Sequence, residues 1–245
     1  MPLLVAWTLL TALPIRLWRA PKPEERGAAV AWYPVVGFAL GGLLALIDRG
    51  LQRTTLSAFV VAALLTATLA LLTGFLHLDG MIDTCDAVFA HRSRQERLMI
   101  ARDPRAGAFG VVGVVLLLLL KVSPLAGSLG PHRAAVLVCF PALARCVMAA
   151  AVIILPSARG SEGMGGGVKA YTQPWALGIA VALTLIPTIV LLRWNALALC
   201  AGAVMGGAGV AIIARRRLGG ATGDVYGAIC ECAEVGVLLA AALVV

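Results

Sequence analysis

The chain has 245 residues, 61% of them hydrophobic and only 13% charged, and its mean hydropathy is +0.96. A soluble domain is about 45–50% apolar, so this composition excludes an ordinary soluble globule and indicates an all-α, polytopic membrane bundle forming one domain over residues 1–245. The net charge of +8 would point to nucleic acid in a soluble protein; here an excess of Lys and Arg in the loops on one side of the bilayer accounts for much of it, and no nucleic-acid partner is expected.

Residues 3–18 are apolar but short, broken by Pro14 and ended by Arg16 and Arg19. They lack a basic leader and a small-residue cleavage site, so they read as an interfacial or re-entrant helix rather than a cleaved signal. Residues 19–27 form a polar loop, and residues 28–47 form the first span, with Gly37, Gly41 and Gly42 allowing close helix contact. A second span, 56–76, runs directly into an acidic segment, Gly74–Gly110. A short surface helix is expected over 93–101, closed by Pro104, with Gly107 and Gly110 giving room for a turn or a close approach. Further spans are expected at 108–123, 134–155 (with Arg145 near its middle), 174–192 and 196–214, and a last apolar helix opens from 219–235. The total is about six or seven transmembrane helices plus short interfacial ones.

The acidic segment holds Asp79, Asp83, Asp86, Glu96 and Asp103, five of the twelve acidic residues in the chain. Asp79, Asp83 and Asp86 have i, i+4, i+7 spacing, which puts the three carboxylates on one face of a helix. Hard divalent ions want oxygen ligands, and Mg²⁺ is usually held by one or two carboxylates together with substrate phosphates. Asp83, with a carboxylate one turn away on either side, is the strongest candidate for a Mg²⁺ or Mn²⁺ site; Asp79 and Asp86 follow. The alternative is a solvated helix cap bridged to nearby arginines. Asp224 and Glu231, seven residues apart at the mouth of the last helix, could complete the site, though an acid at a helix N-terminus is also favoured by the helix dipole. Arg102, Arg105 and Lys169 are candidates to hold a diphosphate, since a guanidinium offers a bidentate fork to phosphate oxygens. Arg92, Arg94 and Arg97 read as plain positive-inside charge. The glycine-rich stretch 157–173, with Arg159 and Lys169, could wrap an anionic ligand. His77, two residues before Asp79, is a candidate general base or substrate-binding group. The six cysteines are scattered without a CxxC or Cys/His pattern and read as small buried hydrophobes.

Sidedness follows from counting. If the loop 79–106 is cytoplasmic, alternation places 19–27, 157–173 and 215–223 on the same side. Those loops carry thirteen basic residues, against five on the other side (Arg49, Arg53, Lys121, Arg133 and Arg193). The bias supports a cytoplasm-facing site in a multi-pass protein of the inner membrane.

Three stretches in order carry a resemblance: HLDGMIDTCDAVFA, then ARDPRAGAFG about fifteen residues on, then GGATGDVYGAICECAEV near the end. With TLLTALPIRLW, AAVAWYPVVGFALGGLLAL and SARGSEGMGGG they resemble the cobalamin synthases, also called adenosylcobinamide-GDP ribazoletransferases, over almost the whole chain. The resemblance implies Mg²⁺-dependent transfer of adenosylcobinamide phosphate from adenosylcobinamide-GDP to the 5′-hydroxyl of α-ribazole, or to its 5′-phosphate form. GMP is released and adenosylcobalamin, or its 5′-phosphate, is formed, at the end of vitamin B12 assembly. It places Asp79, Asp83, Asp86 and Asp103 in the catalytic loop, and Asp224 and Glu231 in the C-terminal motif. Ala87, Pro104 and Met164 depart from the residues usual there, without removing a carboxylate. A CDP-alcohol phosphotransferase of lipid synthesis is the nearest rival, but Ile82-Asp83 stands where that pattern has Ala-Arg. A small transporter is a weaker rival, because its charges would sit at the bilayer midplane. Oligomeric state stays open, a homo-oligomer included.

Overall fold

The computed structural model describes residues 1–127, 129–160 and 163–245, and these are helical with no strand; a single parallel β-bridge joins Ser157 to Ala221. Helix α1 (Pro2–Leu10) has nine residues. At a rise of about 1.5 Å per residue it is too short to cross a bilayer, in line with an interfacial element. α2 (Pro23–Ala29) continues through a 3₁₀ turn into α3 (Tyr33–Leu51). Together they make the first of six helical stretches long and apolar enough to span; the others are α7 (Ala108–Ala126), α8 (Arg133–Ile154, with its leading 3₁₀ turn), α10 (Trp175–Leu192), α11 (Asn195–Leu218) and α12 (Gly223–Val244).

The expected span 56–76 is not continuous. α4 (Ala58–Leu72) ends and α5 (Leu76–Phe89) leaves it at 91°, so the pair counts as a seventh span only if the bent unit is taken as one. Gly74 and Phe75 both have φ near +60°, a region that suits Gly but costs a phenylalanine free energy. The Phe75 N–H closes back on the Ala70 carbonyl at 2.8 Å, and the Thr73 hydroxyl donates to the carbonyls of Leu69 and Ala70. Carbonyls orphaned by the helix end are thus satisfied by the turn itself. The bend turns the three aspartates of α5 away from the axis of α4 and lays them against α7 and α12.

α6 (Arg94–Ile100) is the expected surface helix, begun by a Ser93/Glu96 capping box. The stretch 157–173 differs from its loop reading: α9 (Gly163–Tyr171) is helical despite four glycines, each of which disfavours helix. Close packing favours it nonetheless. A Cβ placed at Gly27 of α2 would stand 2.1 Å from the Tyr171 carbonyl oxygen, so the two helix ends lie backbone to backbone. Small residues serve the same purpose between α11 and α12. A Cβ at Gly202 would lie 2.3 Å from Gly236 O, and one at Gly206 2.2 Å from Cys232 O. Bilayer lipid offers no hydrophobic drive to pair helices, so contact of this kind is what holds them together.

The largest correction concerns charge. Lys121, placed in a loop by the sequence, is inside α7 and 4% exposed. Glu231, placed at the mouth of α12 by the sequence, lies well inside it, as does Glu234, and both are buried. Lys121 Nζ donates to Glu231 and, at 2.5 Å, to Glu234; Arg145 of α8 donates to Glu234 as well. Two cations and two carboxylates from three helices therefore close into a neutral cluster. Charge of this kind inside a bilayer is tolerated only when paired.

Candidate active site

Two segments far apart in sequence converge at one end of the bundle. Gly80 of α5 lies against the start of α12: a Cβ there would be 2.7 Å from Asp224 O and 3.0 Å from its Cα. Only glycine permits that approach, and it carries Asp79 and Asp83 to the N-terminus of α12. A turn further along α12, Gly227 meets α5, where a Cβ would be 3.2 Å from His77 Cα. Thr222 caps α12 through the Val225 N–H and donates its own hydroxyl to Asp224 Oδ2 at 3.0 Å, fixing that carboxylate. The loop before α12 is tied to the loop after α8 by the bridge at Ser157 and Ala221, with Ala158 N to Ala221 O at 2.9 Å and Ala221 N to Pro156 O at 2.8 Å. In this way the segments singled out from the sequence, 74–110, 157–173 and 219–235, meet.

At their junction lies a cavity of about 290 Å³, whose polar lining includes Asp79, Asp224, His77, Arg159 and Tyr226, with apolar side chains such as Leu10, Met148 and Val152 opposite. Asp83 stands beside it, close enough for the charges of Asp224, Asp79, Asp86 and Arg159 to act on its carboxyl. Among the described residues no donor hydrogen-bonds the Asp83 carboxylate.

The other candidates are placed differently. Asp86 uses both oxygens at the start of α7, accepting from Gly107 N at 2.7 Å and from Gly110 N at 2.8 Å. A Cβ at either glycine would fall within 2.5 Å of that carboxylate, so the two glycines make room for a side chain that caps a helix. Asp103 and Arg105 form an exposed local clamp, with Arg105 Nε at 2.9 Å and Nη2 at 2.8 Å from the carboxylate; these bonds hold the Asp103 carboxyl down at about 2. Arg102 is exposed nearby. Lys169 donates to the last carbonyls of α8, Val152 O at 2.9 Å and Ile153 O at 3.1 Å, and partial burial lowers its ammonium from the ordinary value. Glu231 is committed to Lys121 and, like Asp86, Asp103, Arg102, Arg105 and Lys169, is not part of the cavity lining.

Arg94 and Arg97, read as positive-inside charge, have structural work as well. Arg94 Nε donates to Leu218 O at 2.7 Å over Gly219, and buried Arg97 donates to Val88 O and Arg92 O. Arg159 caps the end of α6 through Leu98 O at 2.9 Å while lining the cavity. Its only sequence signal was membership of the glycine-rich stretch. Tyr226 had none, being one aromatic in an apolar helix.

Among the described residues no three His, Cys, Asp or Glu side chains come together to hold a metal ion by themselves. A site for Mg²⁺ does not require that, because such an ion keeps several waters and takes one or two carboxylates together with substrate phosphates. Asp79 and Asp224, carboxylates from two helices on one cavity, are the hard oxygen donors that such an ion takes alongside phosphate.

The sequence model of a family described as Cobalamin-5-phosphate synthase (CobS) matches residues 2–242. The chain is 40% identical to an adenosylcobinamide-GDP ribazoletransferase of Pseudomonas aeruginosa over 98% of its own length and 97% of the relative's. It is 39% identical to the protein of that name from Stutzerimonas stutzeri, over 99% and 98%. No solved structure matches it. With nearly every residue covered by the family and by these relatives, the chain is a multi-pass membrane transferase belonging to the cobalamin-5-phosphate synthase family.

Proposed function

We propose that the protein transfers adenosylcobinamide phosphate from adenosylcobinamide-GDP to α-ribazole 5′-phosphate or α-ribazole, releasing GMP, at a Mg²⁺-dependent site on the cytoplasmic side of the inner membrane. The observation that carries this reading is the convergence of Asp79, Asp83 and Asp224 from two distant segments beside one cavity. Family membership supplies the substrate class. With Lys121 removed from the loops, the basic count is thirteen against four, which supports the cytoplasmic orientation more strongly than before.

In this mechanism a hydroxyl oxygen of the ribazole forms a bond to the phosphorus that bears the cobinamide. The bond from that phosphorus to the GMP oxygen breaks. The family description names a 5-phosphate product. An acceptor already phosphorylated at the 5′ oxygen attacks through a secondary ribose hydroxyl; adenosylcobalamin and its 5′-phosphate share one linkage, so α-ribazole attacks through the same hydroxyl, and this replaces the 5′-hydroxyl expected from the sequence. Asp79 and Asp224, both on the cavity, are the ligands assigned to Mg²⁺, which when bound would neutralise charge on the diphosphate. Asp83, whose oxygens are engaged by no donor among the described residues, accepts the hydroxyl proton. Arg159, which lines the cavity while its Nη2 stays on the α6 carbonyls, supplies positive charge to the diphosphate. Asp86 keeps the loop 101–107 on α5 and acts through that placement.

The test uses purified protein in nanodiscs with adenosylcobinamide-GDP, either acceptor and Mg²⁺, following GMP and corrinoid product by chromatography. Release of GMP that needs Mg²⁺ and is lost in Asp83→Ala is expected. Turnover with a cytidine-linked donor in place of the guanosine one would move the protein to CDP-alcohol chemistry, and no release from either donor would overturn the transferase assignment of this site.

A further inference from the structure

His77 is 2% exposed and forms part of the cavity wall. Its Nδ1 lies 3.3 Å from Arg145 Nη2. A guanidinium has five N–H donors and no acceptor, so that contact exists only where Nδ1 presents its lone pair. A neutral imidazole then carries its proton on Nε2. Arg145 is not at liberty to turn, because its other nitrogen is engaged by Glu234. The remaining ring nitrogen, Nε2, is buried with no hydrogen-bond partner among the described residues. The Tyr226 hydroxyl, on the same cavity, is likewise buried and has no partner among the described residues. Buried polar atoms are nearly always satisfied, and two unsatisfied ones in the wall of one cavity point to a ligand that satisfies them.

We infer that His77 Nε2–H and Tyr226 O–H form a neutral donor wall that takes a phosphate or ribose oxygen of the substrate, with Arg145 and Glu234 as positioning residues that fix the His77 tautomer. The identity of the substrate rests on the function proposed above; the tautomer does not. Two consequences separate this from the base role read from the sequence. His77 has no lone pair to offer the cavity, so the hydroxyl proton goes to a carboxylate. The carboxylates at the mouth repel phosphate oxygens, whereas uncharged donors on the inner wall accept them without adding charge to a low-dielectric site.

The experiment is ¹⁵N NMR of histidine-labelled full-length protein in nanodiscs without substrate, at neutral pH, with the His77 signal identified by its loss in His77→Gln. The expected result is an unprotonated Nδ1 and a protonated Nε2. A proton on Nδ1, or on both nitrogens, would overturn the inference whatever the enzyme does. Steady-state kinetics identify the oxygen. In His77→Ala the KM for either the GDP ester or the ribazole acceptor should rise about tenfold, the scale of one lost hydrogen bond. His77→Gln, which keeps an N–H near the Nε2 position, should restore most of it. The substrate whose KM rises is the one that donor wall holds, and an unchanged KM for both would refute the substrate contact. If the tautomer is as stated while the wild type releases no GMP, the donor wall stands and the assigned reaction fails.

Discussion

Replacing Lys121 by Met tests the buried charge cluster. In the native chain Lys121 and Arg145 face Glu231 and Glu234, and all four are at most 4% exposed. Met matches the length of the lysine stem and leaves one carboxylate, chiefly Glu231, with no cation. Breaking a buried pair by removing one partner costs about 3–5 kcal/mol, because the survivor is left charged away from water. Replacing Glu231 by Gln in the same chain restores neutrality, and the double variant should recover all but about 1–2 kcal/mol, since residues in one network are not additive. The assay is reversible unfolding in mixed detergent micelles with rising dodecyl sulfate, read by the fluorescence of the five tryptophans. A single variant within about 1 kcal/mol of wild type would show that Glu231 is solvated or protonated at no cost. A double variant as unstable as the single one would show that packing of the lysine stem, and not charge, is what matters. Either result refutes the reasoning.

Three further outcomes are expected. Gly80→Ala puts a methyl 2.7 Å from Asp224 O, forcing α5 off α12 at a cost of about 1–3 kcal/mol; GMP release should fall by an order of magnitude or more while Gly42→Ala, which meets nothing within 4 Å, leaves it unchanged. Asp224→Asn should raise the Mg²⁺ concentration for half-maximal rate at least tenfold, read from a Mg²⁺ titration, if Asp224 is a ligand. Arg105 holds the Asp103 carboxyl at about 2, below its ordinary 3.8. The pairing therefore contributes fully above about 3.8 and is lost as pH falls through about 2. Carboxyl ¹³C NMR should show that midpoint, and Arg105→Ala should move it up towards the ordinary value.

Most spans were legible because an apolar run of about 20 residues has few other fates in a chain this hydrophobic. The spacing of Asp79, Asp83 and Asp86 also gave a helix bearing all three, as observed. It did not reveal that Asp86 points into the start of α7, because its partners are backbone N–H groups over twenty residues away. Glycines 107 and 110 were noticed as points of close approach, but what approaches is a side chain from another helix. The bend at Gly74 was hidden by an unbroken apolar run, and a left-handed Phe75 has no compositional mark. Lys121 was misplaced because a lone lysine near the end of an apolar stretch resembles a loop boundary, and its counter-ions lie some 110 residues later. Glycine-rich 163–171 was read as loop from propensity, which close packing against α2 overrode.

The neutral cluster also bears on how the chain enters its membrane. Lys121 is made first, Arg145 next, and the two glutamates after both, on α12. A lone charge at the centre of an isolated helix opposes insertion by about 2.5–3.5 kcal/mol. α7 and α8 would therefore meet the lipid each carrying an uncompensated cation, and α12 two uncompensated anions. None of the three is at ease in the bilayer until the others have arrived. α12, made after α7 and α8, is then the helix that neutralises both, and Asp224, at its leading end, reaches its place beside Asp79 and Asp83 only once α12 has followed them.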